Sequence, residues 1–223
     1  MNKLRLIMHR LERALEYLRA GKPVLVYDGD DREAEADFVV PAKSVTPNLV
    51  RWLRINAGGL LCFATTEEIA RALGLSFLSE YYSKLGLSTR PRYGDDPAFM
   101  GYVNHKKTFT GVRDSDKALT IKELAHIAEL ALKDPSLARE EFLSNFYAPG
   151  HVPILGARLG RRWGHTELSM ILAKAAGLPP AVAIIEVLGP STEAMTYQEV
   201  SELAETLGVP LLRGEDLKAF AQF

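Results

Sequence analysis

Residues 27–38, YDGDDREAEADF, carry six carboxylates (Asp28, Asp30, Asp31, Glu33, Glu35 and Asp37) and one guanidinium, Arg32. They stand between two apolar runs, PVLVY and FVVP, so the charge falls where a core begins. If the end of this stretch pairs as a strand, Glu33, Glu35 and Asp37 alternate onto one face. Carboxylates so crowded repel one another unless a cation or a cationic ligand group sits among them. A hard divalent ion such as Mg²⁺ suits this setting, because it takes oxygen ligands from one or two carboxylates and fills the rest from substrate and water. A solvated acidic turn accounts for the same residues. The spacing does not fit a calcium EF-hand loop.

A second place where charge meets core is RRWGHTE (161–167), which opens a helix. Free backbone N–H groups at a helix start favour an anion, and Arg161 and Arg162 add bidentate phosphate donors. A capped helix with a surface arginine pair fits equally well. His165 at that start can also ligate a metal through a neutral ring nitrogen. The fragment HTE resembles part of a deaminase zinc site, but the C-x-x-C which that chemistry requires is absent. The third place is Glu186, inside the apolar run AVAIIEVL, where a carboxylate is costly to bury unless it is paired.

Other polar residues carry less. TFTGVRDSDKALTI (108–121) places Thr110, Gly111, Asp114 and Asp116 before a helix, which also reads as turn and cap chemistry. His151 stands at a strand entrance in PGHVPIL. Cys62 has no visible activating partner and reads as core. His9, His105 and His126 carry no functional expectation.

These groups need a scaffold. The 223 residues are 47% hydrophobic and 25% charged, the composition of a globular chain able to bury a sizeable core. A formal charge of −1 gives no pull toward nucleic acid or an anionic membrane. One cysteine excludes an internal disulfide framework, and no apolar run reaches the roughly 20 residues of a membrane span. The N-terminal segment is interrupted by charge every few residues, unlike a signal peptide, so a cytoplasmic protein is expected.

Periodicity predicts an N-terminal amphipathic helix with Leu4, Met8, Leu11, Leu15 and Leu18 inward, stopped by Gly21 and Pro23. Strands are expected at 24–27, 38–41, 60–64, 152–155, 181–188 and 209–212. Helices are expected from Thr46-Pro47 to Gly58-Gly59, over 66–73, 120–134 and 166–177, from the Thr196/Glu199 capping box to about 207, and at the C-terminus. Residues 76–107 read as a long loop of the kind that carries function. The alternation predicts one α/β domain over 1–223, three-layered, with a mixed sheet of about seven strands covered by helices.

DREAEADF after a strand, GGLLCFA, TFTGVRDSDKALTI, PGHVPIL, RWGHTE and AVAIIEVL, in this order, resemble the 3,4-dihydroxy-2-butanone 4-phosphate synthase family from about residue 5 to 217. The resemblance implies a homodimer with active sites at the subunit interface and a divalent metal, Mg²⁺ or Mn²⁺, as one or two ions per site. It implies conversion of D-ribulose 5-phosphate into 3,4-dihydroxy-2-butanone 4-phosphate and formate, the four-carbon supply of riboflavin. Arg32 and Glu33 then contact substrate, with Glu33 also a metal ligand. Asp37 contacts substrate and transfers protons, and Glu186 lies near the sugar hydroxyls. Arg162, Trp163, Gly164, His165 and Thr166 hold phosphate, with His165 the second metal ligand. Thr110 joins the substrate contacts and His151 the catalytic candidates. Proton-transfer roles among Glu35, Asp37, Glu186 and His151 stay open. The departures are Trp163 for a common glycine, Ala34 and Ala36 for asparagine and glycine, and Lys117 for arginine. A different Mg²⁺-dependent sugar-phosphate isomerase or lyase, and a non-catalytic nucleotide-binding module, are the alternatives.

Overall fold

The computed structural model describes residues 3–221, with the side chains of Lys3, Leu4 and Ala221 outside the description. Seven strands form one mixed sheet: β1 (Val24–Tyr27), β2 (Ala36–Pro41), β3 (Cys62–Thr66), β4 (Phe99–His105), β5 (Phe146–Ala157), β6 (Ala181–Glu186) and β7 (Leu211–Arg213). Their order across the sheet is β4-β5-β3-β6-β2-β1-β7. The β3–β5 and β1–β7 pairs are parallel and the rest antiparallel.

Side-chain alternation divides the core into two layers. Leu25, Phe38, Val40, Phe63 and Ile185 face one side. There they meet α2 (Pro47–Asn56), α3 (Glu67–Ala72), α5 (Asp114–Ala131), α6 (Pro135–Asn145) and α8 (Tyr197–Leu207). Val24, Val26, Val39, Cys62 and Ile184 face the other side, against α1 (Lys3–Arg19), α7 (His165–Ala175) and α9 (Gly214–Ala221). The three-layer, single-domain α/β expectation holds.

Several local expectations change. On α1, Leu11, Leu15 and Leu18 are buried as expected, but Met8 is exposed. The supposed loop 76–107 contains α4 (Leu78–Lys84) and β4. The latter pairs with β5 through two register irregularities, which break the alternation a sequence reading depends on. Helix α5 starts six residues before the expected 120, because Asp116 ties the preceding turn to its first turn. Helix α6, started by Asp134 as cap and Pro135, was not expected. Strand β5 runs well beyond the expected 152–155, through Pro149 and Gly150. The acidic stretch is not a strand extension: β2 begins at Ala36, so Glu33 and Glu35 lie in the β1–β2 connection.

Candidate active site

The connection from β1 to β2 closes on itself around Asp28. The buried Asp28 carboxylate accepts hydrogen bonds from the backbone N–H of Glu33 (3.2 Å) and Glu35 (3.1 Å) and from Arg32 Nη1 (2.8 Å). Asp28 N–H in turn donates to the Glu35 carbonyl at 3.1 Å. The loop is therefore a built object with Asp28 as its internal organiser. It presents Glu33 on one side, with Ala34 in the left-handed region at φ 56°.

Strand pairing supplies the next carboxylates. Asp37 on β2 stands directly opposite Glu186, the last residue of β6. Like charges in facing sheet positions are destabilising, so this pair needs a compensating group. Both share the sheet face of Val39 and Ile184, which is the face covered by α7. Glu186 Oε2 accepts Leu60 N–H at 2.6 Å. Asp37 is fully buried and its Oδ1 has no hydrogen-bond partner.

Helix α7 brings the compensation. Gly164 is its N-cap and His165 its first residue. The imidazole Nε2 lies 3.1 Å from the Glu35 carbonyl, so that nitrogen carries the donated proton and Nδ1 turns to the carboxylates. Nδ1 is 3.4 Å from Glu33 Oε2 and 3.6 Å from Asp37 Oδ1. Asp28, Glu33 and His165 each offer one ligand atom, all within 4.8 Å of one another. This donor set fits a divalent cation: carboxylate oxygens, an imidazole oriented by a backbone carbonyl, and an unpartnered buried oxygen, Asp37 Oδ1, alongside.

The protonation states follow from burial and contact. Burial pushes the Asp37 carboxyl up to about 8, His165 only partly offsetting it. Burial alone would lower His165, but Asp37 and Glu33 raise it to about 9. Burial works against the charge of Glu33, yet His165 and Arg32 hold it at about 2. Burial, then Glu33, raises Glu35.

The guanidinium groups converge beside this centre. A Cβ at Gly164 would lie 2.5 Å from Arg162 Nη1 and 2.6 Å from Arg32 Nη2, so a side chain there would push both arginine ends out of their present positions. Arg32 Nη2 and Arg162 Nε are buried without hydrogen-bond partners. The ends of both side chains meet at Gly164, the N-cap of α7, beside a first turn whose backbone N–H groups favour an anion. Arg162 is itself held by the buried Glu167, which accepts from Arg162 Nη1 (2.7 Å), Gly164 N–H (3.0 Å) and Arg158 N–H (2.8 Å). Arg161 points elsewhere, paired with Glu67.

These elements enclose a cleft of about 270 Å³ lined by Glu33, Glu35, Asp37, Arg162, His165, Thr166 and Glu186, with Cys62 and Tyr93. Trp163 is half-buried on the α7-side core. Thr110 and His151 are not among the lining residues. Thr110 is bound to Asp116 in the turn before α5, and His151 Nδ1 lies 3.0 Å from Asn104 Nδ2 on exposed β5 backbone. Sequence reading missed Asp28 as organiser, Glu167, Tyr93 and Asp95. Only Glu167 had a usable signal, as the acidic third residue of a helix opened by glycine.

The family model for 3,4-dihydroxy-2-butanone 4-phosphate synthase matches residues 12–220. A synthase of that name from Methanosarcina acetivorans is 35% identical over 222 residues, 93% of this chain and 89% of the relative. One from Methanothermobacter thermautotrophicus is 37% identical, covering 92% and 96%. A solved 3,4-dihydroxy-2-butanone 4-phosphate synthase in complex with two magnesium ions superposes with a TM-score of 0.76 at 26% identity, covering 95% of this chain and 96% of the other.

Two outcomes are expected from this geometry. Replacing Glu167 by alanine removes the nearest partner of the buried Arg162 and leaves only longer contacts to Glu33 and Asp95, and urea unfolding should register a loss of about 3 kcal/mol. In chelator-treated protein, folded Asp37 and His165 hold protons that the unfolded chain releases near 3.8 and 6.5. Stability is therefore lost with rising pH, from about 3.8 to 8 through Asp37 and from about 6.5 to 9 through His165, so the thermal midpoint should fall as pH rises and fall most steeply between 6.5 and 8, where both contribute. A His165→Gln variant should flatten that slope, and Mg²⁺ should bind more tightly as pH rises, because it displaces the His165 proton.

Proposed function

The chain belongs to the 3,4-dihydroxy-2-butanone 4-phosphate synthase family, lyases of riboflavin biosynthesis, and on that footing we propose that it converts D-ribulose 5-phosphate into 3,4-dihydroxy-2-butanone 4-phosphate and formate. The observation that carries this reading is the convergence of Glu33, Asp37 and His165 beside two buried guanidinium groups with unused donors. One end of the cleft suits a hard cation and the other a phosphate, the two handles of a sugar phosphate. The products sum to the substrate, so the reaction draws on no oxidant or second substrate.

Arg32 Nη2, Arg162 Nε and the N–H groups at the start of α7 take the phosphate. Glu33 and His165 Nδ1 would hold the divalent cation, Mg²⁺ or Mn²⁺ as one or two ions, with Asp28 and Asp37 adjacent. When bound, the cation supplies stabilisation for negative charge developing on the sugar oxygens. Asp37, a carboxyl whose pKa near neutrality suits proton exchange, serves the carbon alpha to the carbonyl. Glu186 faces the same carbons and orients the hydroxyls, and Glu35 closes the cleft beside it. The loop over 28–35 keeps water from reactive dicarbonyl intermediates.

Thr110 and His151 enter through a second copy. Their surroundings include exposed Phe109, Val112 and Tyr147, an apolar patch that a homodimer interface would cover. His151 and Thr110 would then complete the partner's cleft. No helix among the described residues is long and apolar enough to cross a membrane, and a phosphorylated substrate fits a cytoplasmic enzyme.

Incubation with ribulose 5-phosphate and Mg²⁺ should yield one formate per substrate by proton NMR, with chelator or Glu33→Ala lowering kcat/KM by about 10² or more. Isomerised sugar without formate would instead support a sugar-phosphate isomerase. Mixing inactive His151→Ala and His165→Ala proteins should restore about one quarter of wild-type activity, the statistical share of intact sites in random two-fold dimers. No recovery after exchange would place each site within one chain.

A further inference from the structure

Asp95 lies in the connection between α4 and β4, outside every motif that carries the family resemblance. Its Oδ2 sits 3.2 Å from Arg32 Nε and 3.8 Å from Arg162 Nε. It therefore stands against the same two guanidinium groups whose remaining donors, Arg32 Nη2 and Arg162 Nε, are buried and unsatisfied. The arginine side chains are each 8% exposed, whereas the Asp95 side chain is 36% exposed. The arginines are thus fixed in the core, and the carboxylate reaches them from the rim.

The neighbouring residues make this arrangement movable on one side and anchored on the other. The backbone carbonyls of Asp96 and Pro97 accept from Arg158 Nη1 at 2.9 and 3.3 Å, which pins the chain just after Asp95. Before it, residues 83–87 and 92–94 are exposed, and Tyr93 stacks over the Arg32 guanidinium at 4.9 Å. A carboxylate that touches two buried cations from an exposed rim holds them at the cost of competing with any other anion for them.

We propose that Asp95 is a built-in competitor for the phosphate subsite: it pairs with Arg32 and Arg162, and a phosphate dianion must displace it to bind them. The inference rests on the phosphate role given above to those arginines. Phosphate and carboxylate cannot share the pair at these distances without like-charge repulsion in a partly desolvated place. The residue at position 95 thereby sets how tightly the anion is held, and so the substrate concentration at which the cleft fills. A neutral residue there gives a tighter phosphate site.

The test is the dissociation constant of inorganic phosphate, measured by calorimetry on wild-type, Asp95→Asn and Asp95→Ala proteins in the presence of Mg²⁺. Both variants should bind phosphate about tenfold more tightly than wild type, the usual size of coupling between competing contacts. The KM for ribulose 5-phosphate should fall in the same order. Unchanged or weaker phosphate binding in both variants, with wild-type binding measurable, overturns the competitor and makes Asp95 an orienting residue for Arg32. Wild-type protein that binds no phosphate, with Arg162→Met behaving identically, overturns the underlying subsite itself.

Discussion

Everything at the site depends on one buried imidazole holding two carboxylates together. Asp37 and Glu186 face each other across adjacent strands, and Glu33 arrives from the loop above them. Without a positive partner that clustering would repel, and a protein surface offers cheaper places for acidic residues. His165 supplies the partner from the first residue of α7, its ring fixed by the Glu35 carbonyl. The same helix start leaves backbone N–H groups of its first turn without intrahelical partners, a setting that favours an anion. One helix terminus thus serves both the acidic centre and the basic pocket, which is why the two lie next to each other.

The scaffold supports this through two buried carboxylates that accept several hydrogen bonds from the loops around them. Asp28 folds the β1–β2 connection by accepting backbone N–H groups of the residues that follow it. Glu167 does the same for the turn before α7 and neutralises Arg162. Each buried acid is satisfied by several donors, so each rigidifies a loop instead of weakening it. The side chains between them, by contrast, are left partly unsatisfied: Asp37 Oδ1, Arg32 Nη2 and Arg162 Nε have no hydrogen-bond partners. Polar groups saturated behind the site and unsaturated within it mark where ligand atoms belong.

Much of this was legible in the sequence. The core strands at 24–27 and 181–186, the capped helix α2 and the capping box of α8 follow from local patterns that tertiary packing did not override. Glu33, Asp37, Arg162, His165, Thr166 and Glu186 stand in the motifs that carry the family resemblance, and the fold gathers them around one cleft, with Arg32 beside Glu33. What failed did so for physical reasons. Strand β4 carries glycine and irregular pairing, and β5 passes through proline and glycine, so neither shows alternation. Asp95 and Tyr93 act through distance in space, and nothing in RYGDDP distinguishes them from turn residues. Thr110 and His151 stand outside the cleft, Thr110 bound to Asp116 in the turn before α5 and His151 beside Asn104 on β5, a placement that depends on strand pairing and not on local sequence.

The central claim is that Glu33 and His165 ligate one cation. Anomalous diffraction from crystals soaked in Mn²⁺ tests it without reference to turnover. A peak within about 2.5 Å of a Glu33 carboxylate oxygen and of His165 Nδ1 is the predicted result. A manganese peak bound elsewhere, with those two side chains still paired directly to each other, would contradict the account.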